Sequence, residues 1–526
     1  MRGEVMTVKL FDTTLRDGEQ SEGISFTVKD KIKIVHLLDD LGISYLEGGW
    51  PGSNPKAVEF FNSIQNESLS QAKMVAFGST RRQKNTAETD ANLLALVETK
   101  VPVACIFGKA WDFHVTHALK ISLEDNLALI EDSLKFLKNN MEEVFFDAEH
   151  FFDGYKKNPE YAIESLKAAE RAGTDVLVLA DTNGGTLPFE IAKIIKEVQK
   201  VIKTPLGIHA HNDSECAVAN TLVAVDCGVK QVQGTMNGYG ERAGNANLCS
   251  IIPALKLKMG VDCISELNLS KLTDVSHHIS EIANLTHNNH FAYVGKSAFA
   301  HKGGIHVSAI SKHPETYEHI RPERVGNVQR VLVSELSGVS NLMYKAEELN
   351  IQLDKTDPIV KKLLKDIKEM EQAGYQFEEG EASFELMLRR ATKQYTPFFD
   401  LLAFRVINDN QGEDKFVIEA TVKLTIDGTI VHTAGEGNGP VSALDHAFRK
   451  ALISKYPEIE TVRLTDYKVR VLNSSGGADA KVRVIIETTD DKDTWGTVGV
   501  SENIIEASWS ALVDSMEYKL LKDRRS

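Results

Sequence analysis

Cysteine is scarce in this 526-residue chain. The five present, Cys105, Cys216, Cys227, Cys249 and Cys263, are odd in number and include no C-x-x-C pair. That spacing argues against a zinc knuckle or a dithiol redox motif, and free, buried thiols in a reducing compartment are expected. Basic residues are the minority charge: 60 Lys and Arg stand against 75 Asp and Glu, a net charge of −15. An acidic surface disfavours nucleic acid and anionic membranes as partners, yet leaves room for a local cationic pocket. No apolar run is long enough to span a bilayer, and residues 1–10 lack the apolar core of a signal peptide. A cytoplasmic protein is therefore expected, with Met6 as an alternative start. At 42% hydrophobic and 26% charged residues, the composition gives no support to disorder. The length calls for more than one domain.

What the chain does have is a repeated unit. A short apolar strand, a polar loop and an amphipathic helix recur through the first half. Strands are predicted at 8–12, 45–48, 74–78, 103–108, 144–148, 176–180, 206–210 and 231–235. Helical patterning lies between them, as at 29–41, 123–137 and 188–202. The spacing, about 25 to 40 residues, is that of a βα unit. Eight units in about 250 residues predict an α/β fold of the (β/α)8 TIM-barrel type. A doubly wound sheet competes, but would have no eighth strand and usually a Gly-rich first turn; the turn here, 13–18 (TTLRDG), has one glycine. Three domains follow: the catalytic barrel at 1–264, a helical connecting subdomain at 265–381, and a C-terminal α+β domain at 382–526. In the last, strands at 399–407, 416–426 and 429–433 precede a helix at 440–455. The pattern returns at 462–472, 480–488, 494–500 and 504–521, a duplicated βββα unit with regulation or dimerisation as its expected task.

In a TIM barrel, chemistry belongs at the C-terminal ends of strands. His209 and His211 end strand seven, and residues i and i+2 of a strand point to one side. The pair suits a divalent metal or, equally, hydrogen bonds to polar groups of the barrel. Asp17, just after strand one, supplies a carboxylate where strands one, seven and eight meet on closure. Asn245 offers an amide oxygen from the loop after strand eight; beside glycine it also suits a left-handed turn. Such oxygen and nitrogen ligands fit Mg2+, Mn2+ or Zn2+. Arg16 stands ready to stabilise an enolate or an oxygen gaining charge, or to make a structural salt bridge with Asp12 or Glu47. With Glu47, at the end of strand two, it forms the candidate substrate contacts. Glu149 ends strand five as an assistant to a general base or a solvated carboxylate. The set suits metal-assisted chemistry at a 2-oxo acid.

Residues 12–20 (DTTLRDGEQ), 209–213 (HAHND) and 238–248 (GYGERAGNANL) together resemble the motifs of the DRE-TIM metallolyases. This family includes 2-isopropylmalate, homocitrate and citramalate synthases and 3-hydroxy-3-methylglutaryl-CoA lyase, and the resemblance covers essentially the whole chain. It implies a metal held by Asp17, His209, His211 and Asn245, with Arg16 as electrostatic catalyst. Residues 303–306 (GGIH) and Tyr317, before 321–326 (RPERVG), extend the match. They imply that His306 and Tyr317 reach the site from a partner protomer, that His306 acts with Glu149 on acetyl-CoA, and that the protein is a homodimer. Segments 48–56 (GGWPGSNPK), 109–115 (KAWDFHV) and 181–185 (DTNGG) are most similar to the long citramalate synthase branch. That branch implies pyruvate and acetyl-CoA as substrates, Thr182 on the 2-oxo acid's carboxylate, and a product leading to isoleucine. The 2-isopropylmalate and homocitrate branches imply a larger 2-oxo acid. A silent metal- or amino-acid-binding regulator would not need Arg16, Asp17, Glu149, His209 and His211 together. A lyase would usually lack the C-terminal domain and carry a loop cysteine with no match here. The C-terminal duplication resembles the synthases' regulatory domain, which implies isoleucine as an effector, near 435–439 or 474–477.

Overall fold

The structure, a computed structural model, describes residues 6–410, 416–472 and 480–525. Eight parallel strands close into a barrel: β1 (Lys9–Asp12), β2 (Tyr45–Gly49), β3 (Lys73–Ser79), β4 (Val103–Lys109), β5 (Glu143–Glu149), β6 (Val176–Asp181), β7 (Leu206–Ala210) and β8 (Gln231–Gly234). Each predicted strand is present, with ends displaced by a residue or so. β8 returns to β1, Lys9 lying opposite Gln231 and Asp12 opposite Gly234.

The strand period of two decides what lines the interior. Phe11, Val75, Phe77, Val103, Cys105 and Phe145 pack together inside the barrel. Their strand neighbours, such as Leu10, Ala76, Ala104 and Phe146, join the larger core that holds the helices. Following the inward rows toward the C-terminal ends leads from Tyr45 to Glu47, from Phe145 to Asp147 and Glu149, and from Gly207 to His209. The apolar interior thus becomes polar at one mouth. Helix α1 (Val28–Leu41) shows how the outer layer is built. Thr27 and Asp30 form a capping box at its start, and Ile34, Val35, Leu38 and Leu41 present a buried stripe.

The chain divides into two compact units, Met1–Phe299 with Ile320–Val328, and Ala300–His319 with Gln329–Ser526. The second holds the helices Val339–Glu348, Pro358–Ala373 and Glu381–Ala391. It also has a parallel pairing of Ala300–His301 with Arg330–Val331, too short to leave a periodic signal in the sequence. Two βββα halves follow. The first has strands Asp400–Asn410, Phe416–Ile426 and Thr429–Glu436 and helix Pro440–Leu452. The second has Arg463–Val471, Val482–Thr489 and Thr494–Ser501 and helix Ile504–Asp523. Their equivalence extends to single hydrogen bonds. Thr433 Oγ1 donates to the Ala447 carbonyl at 2.7 Å, and Thr497 Oγ1 to the Ala511 carbonyl at 2.9 Å. Residues 474–477, the second expected effector segment, lie outside the described residues. All five cysteines are free; Cys105 and Cys249 are buried, but Cys216, Cys227 and Cys263 are only partly so. No helix among the described residues is long and apolar enough to cross a membrane.

Candidate active site

The turn after β1 delivers the first two groups. The amides of Arg16 and Asp17 both donate to the Thr13 carbonyl, at 3.1 and 2.8 Å, so the chain curls over the barrel mouth. Asp17 Oδ2 lies 3.3 Å from His209 Nε2, and that nitrogen lies 3.3 Å from His211 Nε2. Asp17, His209 and His211 are buried and form the only group of three or more His, Cys, Asp or Glu residues with metal-ligand spacing among the described residues. His209 is fixed from behind, its Nδ1 at 2.9 Å from Gln233 Oε1. This second contact orients the ring, as is usual for metal-binding histidines. Asn245 pairs with His211 in an isolated antiparallel bridge. The bend before it needs glycine: Gly244 has φ +89°, and a Cβ there would lie 2.1 Å from the Gly238 carbonyl oxygen.

The polar atoms here fit a cation. Both amide atoms of Asn245 are buried and have no hydrogen-bond partner, and the buried Asp17 Oδ2 has only the His209 ring nitrogen beside it, at 3.3 Å. Buried oxygens of this kind are costly unless something satisfies them. The charges respond accordingly. Burial would raise the Asp17 carboxyl, but the Arg16 guanidinium and the hydrogen bond to His209 hold it far below the ordinary carboxylate range. Burial would lower His209, yet the bond to Asp17 and the charge of Asp147 raise it to about 9. His211 is pushed down to about 3 by burial and by its neighbour His209.

Arg16 is held on three sides. Its Nε donates to Glu47 Oε2 at 2.7 Å, its Nη1 lies 3.3 Å from Asp17 Oδ1, and its guanidinium sits 3.9 Å from the Phe77 ring centroid. Of the two expected structural partners of Arg16, Glu47 is the one it pairs with, and Asp17 lies on the other side of the guanidinium. Burial pushes Glu47 up to about 7 despite this partner. Arg16, Asp17, Glu149, Thr182, His209 and His211 line one cavity of about 230 Å³. Glu149 is paired with Lys109 and stays partly exposed to the cavity. The Thr182 hydroxyl accepts the His150 backbone N–H at 2.8 Å.

Two groups escaped the sequence reading. Buried Asp147 lines the same cavity, and Lys109 pairs with Glu149. The inward row Phe145, Asp147, Glu149 carried the signal for the first. Trp50, Phe77 and Phe107 also wall the cavity, with ring centroids 5.5–5.9 Å apart. His306 and Tyr317 belong to the second unit, where their rings stack at 4.2 Å and both are exposed.

The chain belongs to the HMGL-like family, the DRE-TIM metallolyases: the family profile matches residues 7–279. A homocitrate synthase post-HMGL domain-like segment matches 293–374, and a LeuA allosteric (dimerisation) domain matches 379–520. Within the family, it is 62% identical to the (R)-citramalate synthase of Geobacter sulfurreducens, over 98% of both chains. Identity to the (R)-citramalate synthase of Aquifex aeolicus is 54%, again over 98% of both. It falls to 32% for the 2-isopropylmalate synthase of Methanocaldococcus jannaschii, over 98% of this chain and 95% of that one.

Proposed function

We propose that this chain catalyses the condensation of acetyl-CoA, pyruvate and water to (R)-citramalate and CoA. The observation that carries the reaction type is the convergence of Asp17, His209 and His211 beside Arg16 at the barrel mouth. The full-length similarity to citramalate synthases carries the acceptor. A divalent cation held by Asp17, His209, His211 and Asn245 would polarise the ketone of the 2-oxo acid and hold it for attack. Arg16 faces the oxygen that gains charge as the new C–C bond forms. Thr182 and Glu47 help orient the 2-oxo acid, Glu47 through its grip on Arg16. A base removes a proton from the acetyl methyl carbon, that carbon attacks the ketone, and water then splits the thioester to release CoA. Measuring CoA release with pyruvate, 2-oxoisovalerate and 2-oxoglutarate tests the assignment; it fails if pyruvate is not the preferred acceptor.

His306 is assigned as that base, with Glu149 assisting and Tyr317 beside it, both imidazole and phenol coming from a second protomer. The dimerisation domain and the exposed His306–Tyr317 stack support a shared site. Mixing inactive Arg16→Ala and His306→Ala proteins then restores activity, because a heterodimer contains one intact site. About a quarter of wild-type activity is expected from a random one-to-one mixture of subunits. No recovery after subunit exchange would place His306 in its own protomer's site, and an active His306→Ala protein would place it outside the reaction. The LeuA allosteric domain also supports feedback by isoleucine, at 435–439 or 474–477. Saturating isoleucine should depress the rate, and an unchanged rate rejects it as the effector.

A further inference from the structure

Lys31 has no part in the chemistry above, yet its surroundings are unusual for a lysine. It lies in the first turn of α1, where the helix dipole disfavours a cation. It is 2% exposed, and burying an ammonium is costly unless its hydrogen bonds are made. An apolar side chain of similar length would pack there against Phe60, whose ring centroid is 5.8 Å from Nζ. Packing alone therefore gives no reason for lysine.

The reason lies in what the ammonium holds. Nζ donates to the Leu15 carbonyl at 2.6 Å and the Gly48 carbonyl at 3.3 Å, and lies 2.8 Å from Glu19 Oε2. Leu15 directly precedes Arg16, and Gly48 directly follows Glu47. One cation thus grips the two backbone segments whose side chains form the Arg16–Glu47 salt bridge. Gly48 is the extra residue where the β2–β3 register shifts between Glu47 and Gly49. Such a bulge re-aims neighbouring side chains. Glu19, three residues beyond Arg16, also pairs with Lys56, which donates to the Phe26 carbonyl at 3.0 Å. The loop carrying Arg16 and Asp17 is therefore tied down on both sides of these residues.

We propose that Lys31 is a positioning residue for the condensation: its ammonium sets the spacing between the Arg16 turn and the end of β2, and so the aim of the guanidinium. The inference rests on the role assigned to Arg16 above.

Lys31→Met tests it in the full-length, metal-loaded protein. The methionine fills the space and removes the three polar contacts. The protein is expected to fold and retain its metal. Its kcat should fall about a hundredfold, as misplacement by about an ångström can cause. The KM for pyruvate should rise while that for acetyl-CoA stays unchanged. A purely structural lysine would lower the melting temperature without this split. Lys31→Gln, which keeps a donor for the carbonyls, should fall between Lys31→Met and wild type. If Lys31→Met fails to fold, Lys31→Gln is read alone. A folded variant with kcat within threefold of wild type overturns the proposal. Arg16→Ala separates the two failures. If it remains active, the reading of Arg16 is wrong; if it is inactive while Lys31→Met is not, only the role of Lys31 falls.

Discussion

Replacing Arg16 with alanine should lower kcat/KM for pyruvate about a thousandfold, the upper range for loss of one preorganised charge-stabilising group, while the metal stays bound. The guanidinium is already oriented by Glu47, Asp17 and the Phe77 face, so it need not reorganise as charge develops. Lysine should be a poor substitute. An ammonium cannot hold Glu47 through one nitrogen, face Asp17 with another and lie flat on Phe77. The stability loss should be smaller than the activity loss, because Glu47, already raised to about 7 by burial, can take up a proton when its partner is removed. Steady-state CoA release together with metal content checks both parts. Normal turnover in Arg16→Ala would exclude Arg16 from the mechanism.

Removing the metal with a chelator should abolish turnover, and Asp17→Asn should prevent its recovery on adding Mn2+. The metal-free protein has a distinct pH signature. Asp17 and its neighbours raise His209 to about 9 from an ordinary 6.5. A proton therefore occupies the site at neutral pH, and the cation must displace it. Metal affinity should rise about tenfold per pH unit up to about 9 and then level off. The stability sign is opposite. A raised histidine stabilises the metal-free fold fully below about 6.5, and that contribution is lost as pH rises through 9. His211, depressed to about 3, contributes stability above 6.5 that is lost as pH falls. The melting temperature of the metal-free protein should therefore decline from near pH 6.5 to above 9, more than that of Asp17→Asn. Calorimetry in both proteins measures this. Equal slopes would show that the Asp17–His209 pair does not carry a proton.

Much of the fold was legible because its signals are local. Eight apolar runs at βα spacing identify a barrel, and the period of two places His209 and His211 on one side. The helix expected at 29–41 is found at Val28–Leu41, its start set by the Thr27–Asp30 capping box. Asp17 was within reach of the argument only through closure of β8 onto β1, a topological rule rather than a local pattern. Glu149 shows the limit. Its surroundings in the chain suggest solvent, but Lys109, forty residues away, pairs with it. His306 shows another: the glycines before it suggest a turn, whereas it sits in the helix Gly304–Ile310, and only family resemblance gave it a role.

By itself, the sequence determined the barrel, the duplicated C-terminal halves and which residues stand at strand ends, since backbone periodicity and capping act over a few residues. Only the tertiary structure decided that Arg16 contacts Glu47 and Asp17 at once, that the buried Asp17, His209 and His211 side chains meet with their proton balance shifted, and that Lys31 ties two strand ends together. Those features depend on ångström-scale distances between segments brought together by closure of the ring and by burial, which change charge as well as position. No local pattern encodes them.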